Sequence, residues 1–177
     1  EGGAILINNK KFVERAEYIR EKGTNRSQFS RGEVSKYTWI DIGSSYLPGE
    51  LVAAFLWAQM QSSESITNCR IKIWKEYHKR LKNFEVENIL KRPSITKECK
   101  HNAHLYYIIL NREEIRKKFI KSMKDYQINC VFHYIPLHSS PFYKTNYEFQ
   151  ELPITSDLAS RVVRLPLWPG LEKYQDY

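Results

Sequence analysis

Three short segments carry polar residues that helix or strand patterning does not explain. The first is Lys22-Gly23-Thr24-Asn25-Arg26, at the end of an amphipathic stretch. Lysine, arginine and small donors just past a glycine can grip phosphate oxygens through charge-assisted hydrogen bonds. The second runs from Tyr37 through Trp39, Gly43, Ser44 and Ser45 to Pro48. Its two serines precede an expected helix start, where hydroxyls and free backbone N–H groups together favour an anion; a plain N-cap at Ser45 or a neighbour explains the same serines. The third is His133-Tyr134-Ile135-Pro136-Leu137-His138. Two histidines five apart around a proline share no helix face, so the spacing is poor for a metal site, and none is expected. No Ser-His-Asp order, phosphate-binding glycine loop or paired-carboxylate arrangement is visible.

The elements that must hold these segments follow from periodicity. Ala4 to Ile7 reads as a short buried strand between glycine and asparagine, and Lys10 to Lys22 as a helix that Gly23 stops. Residues 24 to 50 follow neither period. A stretch that long without regular structure is functional or disordered, and Tyr37, Trp39 and Tyr46 argue against disorder. From Glu50 a helical pattern continues for some thirty residues. Its first part, Leu51 to Met60, is apolar nearly all round, which predicts burial on several sides. Its second part is one-sided, with Cys69 as a small core residue.

Beyond Glu85 the pattern becomes α+β. His104 to Leu110 reads as a strand, Asn111 as the cap of a helix reaching about Tyr126, and Gln127 to Tyr134 as a second strand. Thr155 to Arg164 reads as a short helix, and Leu171 to Tyr177 as the approach to another. The resulting expectation is residues 1–49 as the end of a large domain with an active-site loop, 50–84 as a long connecting helix, and 85–177 as a small domain on an antiparallel sheet.

Composition narrows the function classes. The 177 residues, 42% hydrophobic and 27% charged, suit a folded soluble protein, and no apolar run approaches the roughly 20 residues of a membrane span. Three widely spaced cysteines indicate neither a zinc knuckle nor a disulfide framework, so a cytoplasmic setting fits. A net charge of +8 points to an anionic partner: nucleic acid, or a phosphorylated cofactor with a nucleotide-diphosphate substrate. Arg112, Arg116, Lys117, Lys118 and Lys121 read as the solvated face of one helix rather than as part of a binding patch.

Taken jointly and in order, the segments resemble the pyridoxal-phosphate-dependent sugar aminotransferases of the DegT/DnrJ/StrS family. Glu1-Gly2-Gly3-Ala4 is similar to that family's Gly-Glu-Gly-Gly, and Ile19-Arg20-Glu21-Lys22-Gly23 to its Arg-x-x-Gly helix end. Gly43-Ser44-Ser45-Tyr46-Leu47 aligns with Gly-x-Asn-Tyr-Arg, with Ser45 and Leu47 in place of Asn and Arg. His133 to His138 matches His-Tyr-x-Pro-Leu-His almost letter for letter.

The resemblance implies an α/β protein, the C-terminal part of a fold-type I transferase with an α+β small domain. It implies pyridoxal 5'-phosphate as cofactor, glutamate and a dTDP-sugar as substrates, and a homodimer without nucleic acid or membrane as partner. Ser45, with Ser44, is expected at the phosphate of the neighbouring subunit's cofactor. Lys22, Asn25, Arg26, Tyr37, Trp39, His133, Tyr134 and His138 are expected to border the nucleotide sugar. The Schiff-base lysine of the family precedes the segment matched by Glu1, so no catalytic residue is assigned within these 177, and the chain by itself is expected to be inactive. The branch suggested by residues 20–29 and 41–47 aminates C4 of dTDP-4-dehydro-6-deoxyglucose for surface polysaccharide or lipopolysaccharide. The rival classes are a basic nucleic-acid-binding module and a non-catalytic partner in the same pathway.

Overall fold

The computed structural model describes residues 2–148 and 150–174. Glu1 of the opening motif and the last three residues of the expected terminal helix lie outside them. The chain forms two compact units, Glu1–Ser63 and Glu64–Tyr177.

The first unit is helical and loop-rich. Asn9 caps a 3-10 turn, Lys10–Phe12, by accepting the Lys11 N–H at 3.1 Å. Helix α1, Val13–Arg20, follows directly. It ends where Lys22 and Gly23 adopt left-handed φ angles of 62° and 75°, and the Gly23 N–H closes back on the Tyr18 carbonyl at 2.7 Å. This is the glycine stop that the sequence announces. A short helix α2, Arg26–Ser30, interrupts the region expected to be irregular. Helix α3, Glu50–Gln61, completes the unit.

Two expectations for this unit are corrected. Residues 4–7 form no strand, and Ile5 and Leu6 are 75% and 91% exposed. A strand exists through its ladder of partners, and none pairs with this segment among the described residues. The expected single helix from residue 50 is broken at Ser62, where the Ser62-Ser63 pair offers the backbone competing hydrogen bonds. The apolar surface of α3 is exposed on the chain itself, with Leu51 at 89% and Phe55 at 71%.

The second unit is a helix-backed antiparallel sheet. Helix α4, Ser63–Arg80, leads through α5, Lys82–Val86, into strand β1, Leu90–Lys91. Strand β2, Tyr106–Leu110, is followed by α6, Glu113–Asp125, and β3, Val131–Phe132. Helices α7, Pro141–Asn146, and α8, Pro153–Arg161, precede β4, Val162–Leu165. The sheet order is β1-β2-β4-β3, and every neighbouring pair is antiparallel.

Strand β4 replaces the expected end of a helix at residues 162–164. Its Val162-Val163 pair has the branched side chains a sheet surface packs, and pairing of Val163 with Ile108 decides the outcome. The expected strand over 127–134 shrinks to two paired residues. Gln127 sits at φ 61°, which extended backbone cannot include. Nor does Asn111 cap α6. Arg112 is the N-cap, without a side-chain bond, while the Asn111 amide donates to the Asn88 carbonyl.

The core lies on this sheet. Tyr106, Ile108, Leu110 and Val163 are buried together with Trp74, Leu90, Ala103 and Cys130. Tyr106 packs edge-on to Trp74, and the Tyr77 hydroxyl donates to the Pro166 carbonyl at 3.0 Å. Burial pushes the Cys130 thiol up to about 11, so it stays protonated at neutral pH. Cys69 is half-buried, with its sulfur 3.5 Å from a Glu172 carboxylate oxygen.

Candidate functional site

In the first unit, the loop after α2 folds back across the C-terminal end of α1. Ser44 N–H donates to the Ile19 carbonyl at 3.0 Å, and Tyr46 N–H to the Arg20 carbonyl at 3.1 Å. These carbonyls belong to the helix end, where no intrahelical donor remains. In return Lys22 N–H donates to the Ser44 carbonyl at 3.1 Å, making Glu21 and Ser45 an antiparallel bridge pair. Further along, Thr24 pairs with Trp39, and the Gly23 carbonyl accepts from both Ile40 N–H and Asp41 N–H at 2.7 and 2.9 Å.

The crossing demands glycine at two places. A Cβ on Gly23 falls 1.7 Å from the Asp41 carbonyl oxygen, and one on Gly43 falls 2.2 Å from the Gly23 nitrogen. No side chain fits either contact. Asp41 locks the turn from its outer side: its carboxylate accepts Ile42 N–H at 2.7 Å and Arg15 Nε at 2.8 Å. The Ile42 N–H first, and then Arg15, hold this carboxyl below the usual range. Arg31 ties the loop to α1 through a two-pronged contact with Glu17, at 3.0 and 2.9 Å, and also reaches Glu33.

Every expected site residue of this unit lies on the crossing or, for Arg26 and Tyr37, directly beside it. Asn25 is buried; its amide oxygen accepts Thr38 N–H at 2.7 Å, and its own N–H donates to the Thr38 carbonyl. Its carbonyl side is therefore committed to the backbone. Arg26 lies 3.4 Å from a Glu21 carboxylate oxygen, with its guanidinium 5.9 Å from the centre of the Tyr37 ring. Trp39 donates its indole N–H to the Asp41 carbonyl at 2.7 Å, while the residue as a whole stays 75% exposed. Lys22, Ser44 and Ser45 are exposed, and neither hydroxyl makes a hydrogen bond to another described residue. Neither serine caps α3, whose N-cap is Gly49. The anion-favouring end of that helix is thus displaced from Ser45 by four residues.

In the second unit, His133 and Tyr134 line a groove of about 470 Å³ with Arg116, Phe132, Ser139 and Ser156. The two rings pack at 5.1 Å, and the Arg164 guanidinium lies 5.7 Å from the Tyr134 ring centre. His138 stands apart from them: it is buried, and its Nε2 shares a 3.1 Å hydrogen bond with the Ser156 hydroxyl. Arg116 leaves the solvated face to which its spacing assigned it. Its side chain is 15% exposed, and it donates to the Ala159 carbonyl of α8 at 3.3 Å.

Residue types did not single out Glu21, Asp41 or Arg116. Asp41 had a usable signal, standing two residues before the glycine of the second segment. Glu21 had none, because its partner Ser45 is 24 positions away. Among the described residues no group of three His, Cys, Asp or Glu side chains could hold a metal, and no helix is long and apolar enough to cross a membrane.

Comparison with known proteins adds one family, two relatives and one solved structure. The DegT/DnrJ/EryC1/StrS aminotransferase family matches residues 1–176. GDP-perosamine synthase of Escherichia coli O157:H7 is 27% identical, over 99% of this chain and 44% of that protein. The dTDP-3-amino-3,6-dideoxy-alpha-D-galactopyranose transaminase of Aneurinibacillus thermoaerophilus is 25% identical, over 97% and 43%. NtdA from Bacillus subtilis, crystallised with bound cofactor PMP, superposes with a TM-score of 0.76 at 20% identity, over 93% of this chain and 37% of that one. The chain spans less than half the length of these relatives.

Proposed function

The chain belongs to the DegT/DnrJ/EryC1/StrS aminotransferase family, a pyridoxal-phosphate-dependent family, and from that premise we propose that the full protein is a nucleotide-sugar aminotransferase. It moves an amino group from glutamate to C4 of dTDP-4-dehydro-6-deoxyglucose in surface-polysaccharide synthesis, as a cytoplasmic homodimer of the dTDP-4-amino-4,6-dideoxygalactose transaminase kind. Residues 1–49 close the large domain, 50–84 connect, and 85–177 form the small domain. The remainder of a protein of the relatives' length carries the Schiff-base lysine. The observation that carries this reading is the pairing of residues 21–25 with 38–45, which gathers five of the ten expected site residues on one crossing, with Arg26 and Tyr37 directly beside it.

The residues present fit the cofactor's phosphate. The Ser44 and Ser45 hydroxyls are exposed and unengaged, and the Lys22 ammonium has no acidic partner among the described residues. Small hydroxyls and an ammonium are suitable donors to a phosphate edge. The α3 terminus does not supply this grip, because its N-cap lies four residues after Ser45 and Glu50 stands in its first turn. In the dimer, Ser45 and Ser44 donate to the phosphate of the partner subunit's cofactor. When bound, pyridoxal phosphate supplies the electron sink for amino transfer.

The remaining residues bind and orient the sugar nucleotide. Arg26 offers its guanidinium to the diphosphate, while Tyr37 and the exposed Trp39 ring offer flat apolar surface to the nucleoside. Lys22 adds positive charge beside them. From the small domain His133 and Tyr134 border the sugar. His138 supports that segment from behind through Ser156.

The two relatives named above differ in nucleotide, GDP in one and dTDP in the other, so the product decides the branch. Full-length protein incubated with pyridoxal phosphate, glutamate and dTDP-4-dehydro-6-deoxyglucose is expected to release 2-oxoglutarate and a sugar with an axial C4 amine, read by NMR. Amination at C3 overturns the substrate assignment, and an equatorial C4 amine overturns the branch.

A further inference from the structure

Ser45 faces a carboxylate. The Glu21–Ser45 bridge is flanked by Tyr46 N–H to Arg20 and Lys22 N–H to Ser44, both at 3.1 Å, so the two residues form a non-hydrogen-bonded antiparallel pair. In such a pair the side chains stand on the same face with Cβ atoms about 4.5–5.5 Å apart. The Glu21 carboxylate is 15% exposed, and its charged neighbour is Arg26, 3.4 Å away and itself 5.9 Å from the Tyr37 ring centre. One acidic residue is therefore shared by both halves of the crossing, paired through its backbone with the serine turn and through its carboxylate with the arginine–aromatic platform.

We propose that Glu21 is a positioning residue that sets the affinity of the site in opposite directions for its two phosphorylated ligands. It holds Arg26 over Tyr37, where the guanidinium meets the diphosphate of the sugar nucleotide. Across the bridge, its negative charge opposes the phosphate that Ser45 contacts, an effect that low exposure keeps from being fully screened. The proposal rests on the aminotransferase reading, which assigns the cofactor phosphate to Ser45 and the nucleotide sugar to Arg26.

Opposite signs make the test specific, because general damage to the crossing weakens both ligands. In the full-length protein, the affinity of the apo form for pyridoxal phosphate is titrated by absorbance, and KM and kcat for the nucleotide sugar are measured at saturating cofactor. Glu21→Gln, equal in size and uncharged, is expected to tighten the cofactor about 3- to 10-fold and to raise KM by a similar factor with kcat unchanged. Glu21→Asp keeps the charge and shortens the reach to Arg26, so KM rises while cofactor affinity stays. Ser45→Ala and Arg26→Ala test the premise separately: the first weakens the cofactor, and the second raises KM. If those two change nothing, the reading beneath the proposal fails. If they behave as stated and Glu21→Gln weakens both ligands or alters neither, the role of Glu21 fails.

Discussion

The two units are held together by different physics. Every buried apolar residue among the described ones belongs to the second unit, around Tyr106, Ile108 and Val163. The first unit keeps its loop in place with backbone hydrogen bonds, exposed ion pairs and two glycines, and its large apolar residues on α3 face outward. A core tolerates moderate change in shape if volume is kept, whereas a backbone crossing tolerates no added atom. The lesson is that the expected ligand contacts of the first unit stand on geometry rather than on burial. Damage should then follow different rules in the two units.

The largest expected effect is in the sheet core. Tyr106 is fully buried, and Tyr106→Ala should cost about 3–5 kcal/mol of folding stability in urea titration, as for other large core truncations. A loss below about 1 kcal/mol would remove the contrast. The glycines sharpen it. Gly32 has φ 75° and open space around its Cβ position, so Gly32→Ala pays only the left-handed backbone cost of about 1–2 kcal/mol. Gly43 has no positive φ but the 2.2 Å clash, so Gly43→Ala isolates the crossing. Thermal melts should rank Gly43→Ala as clearly more damaging than Gly32→Ala; equal costs would show that the loop relaxes around the contact.

The smallest effect is a pH dependence confined to the second unit. His78 stacks on Trp74 at 4.7 Å, and burial, followed by the Arg92 guanidinium, holds its imidazole below the ordinary value of about 6.5. Glu85 offsets this in part. On acidification the unfolded chain takes up this proton first, so stability present above pH about 6.5 declines as pH falls below it. His78→Gln should flatten that part of a melting-temperature profile. An unchanged slope would mean that His78 titrates normally in the fold.

What the sequence revealed follows the same division. Strand β2, helix α6 and the Gly23 stop were legible because each is written locally, in branched residues, a one-sided apolar stripe and a breaker. Strand β4 was not, since Arg161 to Leu165 contains no breaker and only pairing with β2 makes it extended. The strand expected at residues 4–7 failed for the converse reason, a strand-like sequence with no partner among the described residues. The loop segments were legible as unusual chemistry, but the Glu21–Ser45 and Thr24–Trp39 pairings join positions 24 and 15 apart. No local pattern encodes such contacts. Arg116 was misjudged because helical spacing places it among lysines, while packing of α6 on α8 buries it.

On the proposed function, the positive charge and aromatic loop of this chain serve a nucleotide-diphosphate sugar rather than a polynucleotide. Calorimetry on the full-length protein, with a dTDP-sugar and with single-stranded DNA at two salt concentrations, separates the two partners. Saturable, stoichiometric binding of the dTDP-sugar that survives the higher salt is expected, with DNA binding weak throughout. Tight DNA binding that collapses steeply with salt, and no heat from the dTDP-sugar, would contradict it.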